Sequence, residues 1–388
     1  MKKELLFVNG HLNVGGVEKS LADLLSHLDY SKYNVDLLLL EDKGDYLAQI
    51  PKQVNIIFFD TTRAYGPLLD VLIDNLLVWH WSTIVYRVIR LIASKCGKKS
   101  NRMLRGLLSL NKNYDAAIAY RVGICAELVA YTVSAKRKLV WWHHGEINEE
   151  SSTIADYNET WKNFDNVVAV SQGCKEMLVR TFDSLIKKIV VVPNMVDVDR
   201  IIKKAGNKSP YDLQNSKINI ISVGRLCMEK HFEDAIYVAW KLVSDKVSNF
   251  HWYIIGDGEM RDKLSLQIKE RGVGCFVTLL GKKENPYSWM RFADIYVHPS
   301  YVESQGLTIL EAMALGTPCV VNYSVGPSEF LIDGKNGIMV DNDVNSLYKG
   351  VVDMLHSQVR GSYIECARYT VKSKFSPAVV IAMFDELV

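Results

Sequence analysis

Val297-His298-Pro299-Ser300-Tyr301-Val302-Glu303-Ser304-Gln305-Gly306-Leu307-Thr308-Ile309-Leu310-Glu311-Ala312-Met313-Ala314-Leu315-Gly316-Thr317-Pro318 reads as the end of a strand, a loop and a helix. The strand covers 294–298, apolar enough to be buried. A helix is expected over about 307–315, stopped by Gly316 and followed by Pro318. Glu303 sits in the loop and Glu311, eight residues on, inside the helix. At ~1.5 Å rise per helical residue they would stand roughly 10–12 Å apart, about the distance from a ribose to a sugar joined through a diphosphate. Between them lie the free backbone N–H groups of a helix start, a seat for phosphate. The same pattern also fits an ordinary strand, loop and helix with two solvated glutamates, so the surrounding chain has to decide.

Around this stretch the second half repeats one unit. A strand at 218–223 ends in Gly224-Arg225-Leu226, with Lys230 five residues after the arginine. Strands at 252–255 and 276–280 run into Gly256-Asp257-Gly258-Glu259 and Gly281, and residues 319–321, Gly326-Pro327-Ser328-Glu329 and 334–341 follow the helix. The first half does the same. Leu5-Leu6-Phe7-Val8 is a continuous apolar run, then Asn9-Gly10 and a loop to Gly15-Gly16, then Val17, Leu21, Leu24, Leu25 and Leu28 at helical spacing. Further strands are expected at 35–40, 56–59, 116–119, 139–142, 167–170 and 189–192. Strands alternating with helices in both halves imply an α/β protein with two parallel-sheet domains facing each other, and 388 residues are too many for one compact core. The polar run at 195–217 is the expected linker.

The GxGxxG fingerprint is absent, which disfavours a dinucleotide site. Gly15 and Gly16 would let backbone approach a ligand at a positive helix start, the alternative being a plain tight turn. The strand at 139–142 ends in His143-His144, where open α/β sheets place their ligands. One of the two is expected as a polar active-site group, or else as a hydrogen-bonded loop histidine. Adjacent side chains diverge and no third ligand accompanies them, so they are poor metal ligands. Asp197-Val198-Asp199 and Asp341-Asn342-Asp343 fall in a linker and a polar turn and are discounted as metal sites. Arg225 and Lys230 would supply the two positive charges that a departing diphosphate needs in place of a metal.

Hydrophobic content of 48% and charged content of 23% are those of a globular protein. The net charge of +2 hides a local excess of nine positive charges between Thr61 and Val140. Within it, 68–110 mixes leucines, two tryptophans and a tyrosine with arginines and lysines, the makeup of basic amphipathic helices on an anionic lipid surface. Helices packed on the sheet with a solvated basic face are the alternative. No nucleic-acid module accompanies the charge. Seven scattered cysteines without a CxxC pair predict buried thiols in a reducing compartment. With no signal-peptide core and no apolar run of ~18 residues, the expected place is the cytoplasm.

These residues in this order resemble glycosyltransferase family 4, retaining enzymes of the GT-B fold, over nearly the whole chain. The matching residues are Glu303 and Glu311 in their setting, Gly224-Arg225-Leu226 with Lys230, Gly256-Asp257-Gly258, Pro193-Asn194-Met195-Val196-Asp197, Gly15-Gly16-Val17-Glu18 and the Gly326 to Glu329 loop. The resemblance implies an acceptor-side domain over 1–200, a donor domain over 201–374, and a last helix at about 375–388 packed back on the first domain. It implies that Arg225 and Lys230 hold the donor diphosphate, Glu311 the ribose and Glu303 the transferred sugar. The backbone amides of Gln305, Gly306 and Leu307 would lie near sugar and phosphate, and Gly15 and Gly16 over the phosphates. The family's active-site histidine aligns with His143, though His144 stays open. Ser304-Gln305 stands where Gly-Phe is frequent, which leaves the donor sugar undefined.

The implied activity is metal-independent, cofactor-free transfer of a hexose or N-acetylhexosamine from a nucleotide-sugar, with UDP the expected nucleotide. The acceptor would be a glycan or a lipid-linked glycan in bacterial surface polysaccharide synthesis, reached from the inner face of the plasma membrane. Same-face attack is expected rather than double displacement through Glu303. The rivals are a GT-B sugar-nucleotide epimerase and an inactive membrane-anchoring partner of another transferase.

Overall fold

The computed structural model describes residues 1–59, 110, 112–211 and 217–388. All but the last residue of the basic aromatic stretch 68–110 lies outside the described residues, and so does the lipid-surface expectation that rests on it.

Strands β1 (Lys3–Asn9), β2 (Tyr33–Leu39), β3 (Val54–Phe58), β4 (Tyr114–Ala119), β5 (Ala135–Trp142), β6 (Asn166–Ala169) and β7 (Ile189–Val191) make one parallel sheet in the order β3-β2-β1-β4-β5-β6-β7. Strands β8 (Ile218–Val223), β9 (Phe250–Ile255), β10 (Val277–Gly281), β11 (Ile295–His298), β12 (Cys319–Asn322) and β13 (Ile338–Val340) make a second, in the order β10-β9-β8-β11-β12-β13. The fold class is α/β with two Rossmann-like doubly wound domains. In each sheet the strand order reverses once, between β1 and β4 and between β8 and β11. Ligands of such sheets bind beyond the strand ends at that reversal.

The apolar runs explain the sheets. Leu5, Leu6, Phe7 and Val8 are all fully buried, which only a strand covered on both faces allows. Each such side chain contributes roughly 1.5–3 kcal/mol of burial. The helix Leu307–Leu315 is framed by two left-handed glycines, Gly306 at φ 79° and Gly316 at φ 85°. At the second, Thr317 N–H closes back on the Ala312 carbonyl at 2.9 Å, a stop that a residue with a Cβ would strain. Ile309, Leu310, Ala312 and Met313 of this helix lie in the second core, so Glu311 is a carboxylate on an almost wholly buried helix.

The chain passes from one core to the other twice. Met195 packs in the first core and Val196 in the second, while Phe375 packs in the second and Val380 and Phe384 in the first. The run at 195–217 differs from the linker reading: it contains a helix, Val198–Ala205, whose Val198, Ile201 and Ala205 are buried. Asp197 caps that helix by accepting from Arg200 N–H at 3.0 Å, and Asp343 caps Val344–His356 in the same way. Both Asp-x-Asp triplets thus serve helix starts. The cysteines are less uniform than expected, since Cys275 is exposed and Cys366 half-buried.

Candidate active site

The loop after β11 carries Glu303 and is pinned on several sides. Asn322 donates to the Pro299 carbonyl at 2.9 Å, Ser300 to the Glu229 carbonyl at 2.9 Å, and Gly326 N–H to the Glu303 carbonyl at 3.3 Å. Tyr301 donates to Asp234 and stacks its ring on His231 at 3.9 Å. His231 holds the left-handed conformation, φ 48°, directly after Lys230, so the stack fixes the turn that aims the lysine.

Glu303 Oε1 accepts from His298 Nε2 at 2.7 Å and from Lys230 Nζ. Burial by itself would raise the pKa of this carboxyl. Lys230 and His298 outweigh burial and bring it down to about 2. A carboxylate that acidic is a weak nucleophile and a strong acceptor for sugar hydroxyls. His298, which the sequence reading passed over as the last residue of a strand, is thus brought into the candidate site. Its Nδ1 lies 3.0 Å from the Tyr296 hydroxyl, which sets the ring.

Glu311 is buried, and its Oε1 takes both the Tyr287 hydroxyl at 3.0 Å and Lys19 Nζ at 3.0 Å. Lys19 belongs to the helix Gly16–His27 on the other side of the cleft. Neither Lys19 nor Tyr287 was legible as a site residue, because each lies far from Glu311 in sequence and neither stands in a motif.

Arg225 follows β8 and is exposed, and among the described residues its side chain makes no hydrogen bond. Its loop is fixed through the backbone. Leu226 N–H donates to the Asp257 carbonyl at 3.0 Å and Met260 N–H to the Leu226 carbonyl at 2.9 Å. A Cβ on Gly256 would strike the Gly224 carbonyl oxygen, which is why a glycine stands there. Lys230 is therefore drawn onto Glu303, and Arg225 is left standing in solvent beyond the same strand ends.

From the other side, β5 delivers His143. Burial, the neighbouring His144 and Arg121 push its pKa down to about 3, so the ring is neutral. It packs on Tyr120 at 4.9 Å, and its Nε2 is buried with no hydrogen-bond partner among the described residues. His144 is exposed and lies edge-on to Trp142 at 5.1 Å. Gly145 brings this turn against the Glu303 loop: a Cβ there would lie 2.9 Å from the Glu303 carbonyl carbon. Gly15 and Gly16 open the Gly16–His27 helix. Gly16 has no heavy atom within 4 Å of a built Cβ, and Gly15 lies against the Glu18 carboxylate.

Gln305 does something else. Its Oε1 accepts from Asn194 N at 2.8 Å and Asn194 Nδ2 at 2.7 Å, and its Nε2 donates to the Asn194 carbonyl at 3.0 Å. Both acceptor positions of Oε1 and one Nε2 proton join the two halves, and the side chain is buried there, while the backbone N–H, beside those of Gly306 and Leu307, is left for a ligand. Glu329 makes a second join, accepting from Gly173 N–H at 2.6 Å.

Residues 14–200 match the family model described as Glycosyltransferase Family 4, and residues 204–372 match Glycosyl transferases group 1. The chain is 27% identical over 383 residues to an N-acetylgalactosamine-N,N'-diacetylbacillosaminyl-diphospho-undecaprenol 4-alpha-N-acetylgalactosaminyltransferase of Campylobacter jejuni, covering 96% of each protein. It is 28% identical over 182 residues to an uncharacterized glycosyltransferase of Methanocaldococcus jannaschii, where it spans only 45% of the relative. A solved structure of a Staphylococcus aureus TarM variant with fondaparinux, alpha-GlcNAc-glycerol and UDP superposes with a TM-score of 0.75 at 15% identity, over 99% of each chain. The architecture is that of GT-B glycosyltransferases.

Proposed function

We propose that this chain, a glycosyltransferase of the GT-B fold, moves a hexose or N-acetylhexosamine from a UDP-sugar to a glycan or lipid-linked glycan, with retention and without a metal. The observation that carries the reading is the pair of carboxylates. Glu303 is held ionised by Lys230 and His298, and Glu311 is held by Tyr287 and Lys19 through one oxygen only. Glu303 would accept from the hydroxyls of the transferred sugar and Glu311 from those of the ribose. The backbone N–H groups of Gln305, Gly306 and Leu307 lie between the two, where the diphosphate would sit.

In the transfer the acceptor hydroxyl attacks the anomeric carbon on the face from which the diphosphate leaves. The departing phosphate oxygen takes the hydroxyl proton as the glycosidic bond forms. Arg225 and two of the three ammonium protons of Lys230 would stabilise the negative charge that develops. His143, neutral and with a free Nε2, would orient the hydroxyl of the sugar or the acceptor. UDP and lipid-linked acceptors are proposed because the TarM structure contains UDP and the Campylobacter relative is named for an undecaprenol-linked acceptor. Docking on an anionic membrane is proposed from the sequence of 68–110 alone. Among the described residues no helix is long and apolar enough to cross a membrane.

The test is a thermal-shift screen of UDP-, GDP- and ADP-sugars, followed by transfer to a lipid-linked glycan with the product anomer read by NMR. An axial donor giving an axial product supports the reading, and inversion overturns it. Transfer unchanged in EDTA supports metal independence. Failure to co-sediment with anionic vesicles removes the membrane claim.

A further inference from the structure

Glu311 stands on the C-terminal domain, yet the cation that holds it comes from the N-terminal one. We infer that Lys19 is a positioning residue of the nucleotide site: it reaches across the cleft, fixes one oxygen of Glu311 and leaves the other turned toward the ribose hydroxyls. The inference rests on the reading of Glu311 as the ribose clamp.

Lys19 is not a loose surface lysine. Its helix starts at Gly16, so its stem is fixed by backbone, and Asp23 one turn on holds Nζ at 2.6 Å. Asp23 in turn accepts from Arg200 at 3.1 Å, and Arg200 donates to Gln49 at 3.2 Å. Lys19, Arg200, Asp23 and Glu311 make a neutral set in which every charge faces an opposite one. A buried carboxylate needs such compensation, and Tyr287 alone carries no charge to supply it. Lys19 and Tyr287 both point at Oε1, and among the described residues Oε2 makes no hydrogen bond. Two donors on one oxygen fix the rotation of the carboxylate and leave an ionised acceptor for a diol. The clamp is complete only while the two domains face each other as here, so ribose recognition is tied to the closed cleft.

The experiment compares the affinity of UDP and of 2',3'-dideoxy-UDP, which lacks both ribose hydroxyls, by calorimetry. If the wild-type protein selects another base, the matching pair is used. Wild type should prefer the natural nucleotide by about tenfold or more, the worth of hydrogen bonds to a charged group. Lys19→Met should lose most of that preference by weakening UDP, with the dideoxy analogue barely changed. Lys19→Arg should keep most of it. Should Lys19→Met fail to fold, Asp23→Asn, which frees Lys19 from its anchor, should lower the preference in the same direction. A tether between domains would instead weaken both nucleotides equally and leave the ratio intact, which overturns the inference. Tighter UDP binding by Lys19→Met also overturns it, since Lys19 would then be a competitor of the ribose. If wild type shows no preference, or Glu311→Gln keeps it, the reading of Glu311 fails first and takes Lys19 with it.

Discussion

The two rims of the cleft meet their ligands in different states. Beyond β8 and β11, Glu303 already has Lys230 and His298, and the loop that carries it is braced from Asn322, Glu229 and Gly326. Beyond β1, β4 and β5, His143 Nε2 and Glu18 Oε1 are buried without a hydrogen bond among the described residues. His11 and Arg121 reach Glu18 only at 3.7 and 3.6 Å. Buried polar atoms are almost always satisfied, and those that are not mark a place where a partner is missing. Asn322 Oδ1 and Ser324 Oγ on the C-terminal rim also lack a partner among the described residues, so the difference lies in the charged groups: Glu303 is already met, whereas Glu18 and His143 have their partners still to come.

The largest effect should come from the charge that has no protein partner. Arg225→Ala should lower kcat by about 10²–10³-fold, as removal of a charge-stabilising donor does, with the melting temperature unchanged. A marked drop in melting temperature would show that Arg225 belongs to the braced network after all. Glu303→Gln should act on both quantities. It weakens transfer and, by leaving Lys230 with a neutral partner, costs about 1–3 kcal/mol in denaturant unfolding. Unchanged stability would mean that the C-terminal rim is less prepared than its hydrogen bonds suggest.

The pH dependence separates the rims by window, since both groups lose stability in the same direction, as pH falls. The folded pKa of His143, about 3, lies below its ordinary 6.5, so the unfolded chain binds the proton first and stability falls as pH drops from about 6.5 toward 3. Glu303 is likewise depressed, from 4.5 to about 2, and its contribution fades only as pH falls through that lower window. His143→Gln should flatten the upper window in urea titrations and leave the lower one. With its folded pKa at about 3, His143 should give the folded enzyme no activity transition near pH 6.5, and one that disappears in His143→Gln would overturn the neutral-ring reading. The smallest effect is expected at the seam, where Gln305→Ala removes three hydrogen bonds to Asn194. It should cost about 1–2 kcal/mol and change KM for donor more than kcat. Loss of activity on the scale of Arg225→Ala would move Gln305 from the seam into the site.

How much of this was legible follows from which interactions are local. Strands stand within a few residues of where their apolar runs place them, and the helix Leu307–Leu315 matches its apolar spacing and glycine stop. Glu303, Arg225 and Lys230 could be singled out because each follows a strand end with a glycine or proline nearby, whereas Glu311, inside its helix, stood out only by its spacing from Glu303. Val198–Ala205 was hidden by its own tail: its apolar positions are helical, but Lys203, Lys204, Gly206 and Asn207 make the passage read as loop. Lys19, Asn194 and Tyr287 gain their roles only when distant segments meet, a pairing that no spacing encodes. For Gln305 the expectation concerned the backbone amide alone, and the place of its side chain in the interdomain seam had no signal in the sequence, because its partner Asn194 lies 111 positions away.

Phe7 on β1 stacks on Phe384 at 5.9 Å, and Val380 and Phe384 fill the core beneath the first sheet. That packing has a consequence for biosynthesis. The strand made among the first residues has to wait for a side chain more than 370 positions later, roughly 20–75 s at common translation rates. During that interval β1 and Trp141 lack part of their cover, so the N-terminal half should engage holdase chaperones on the ribosome more persistently than the C-terminal half, whose core draws on a shorter span of chain.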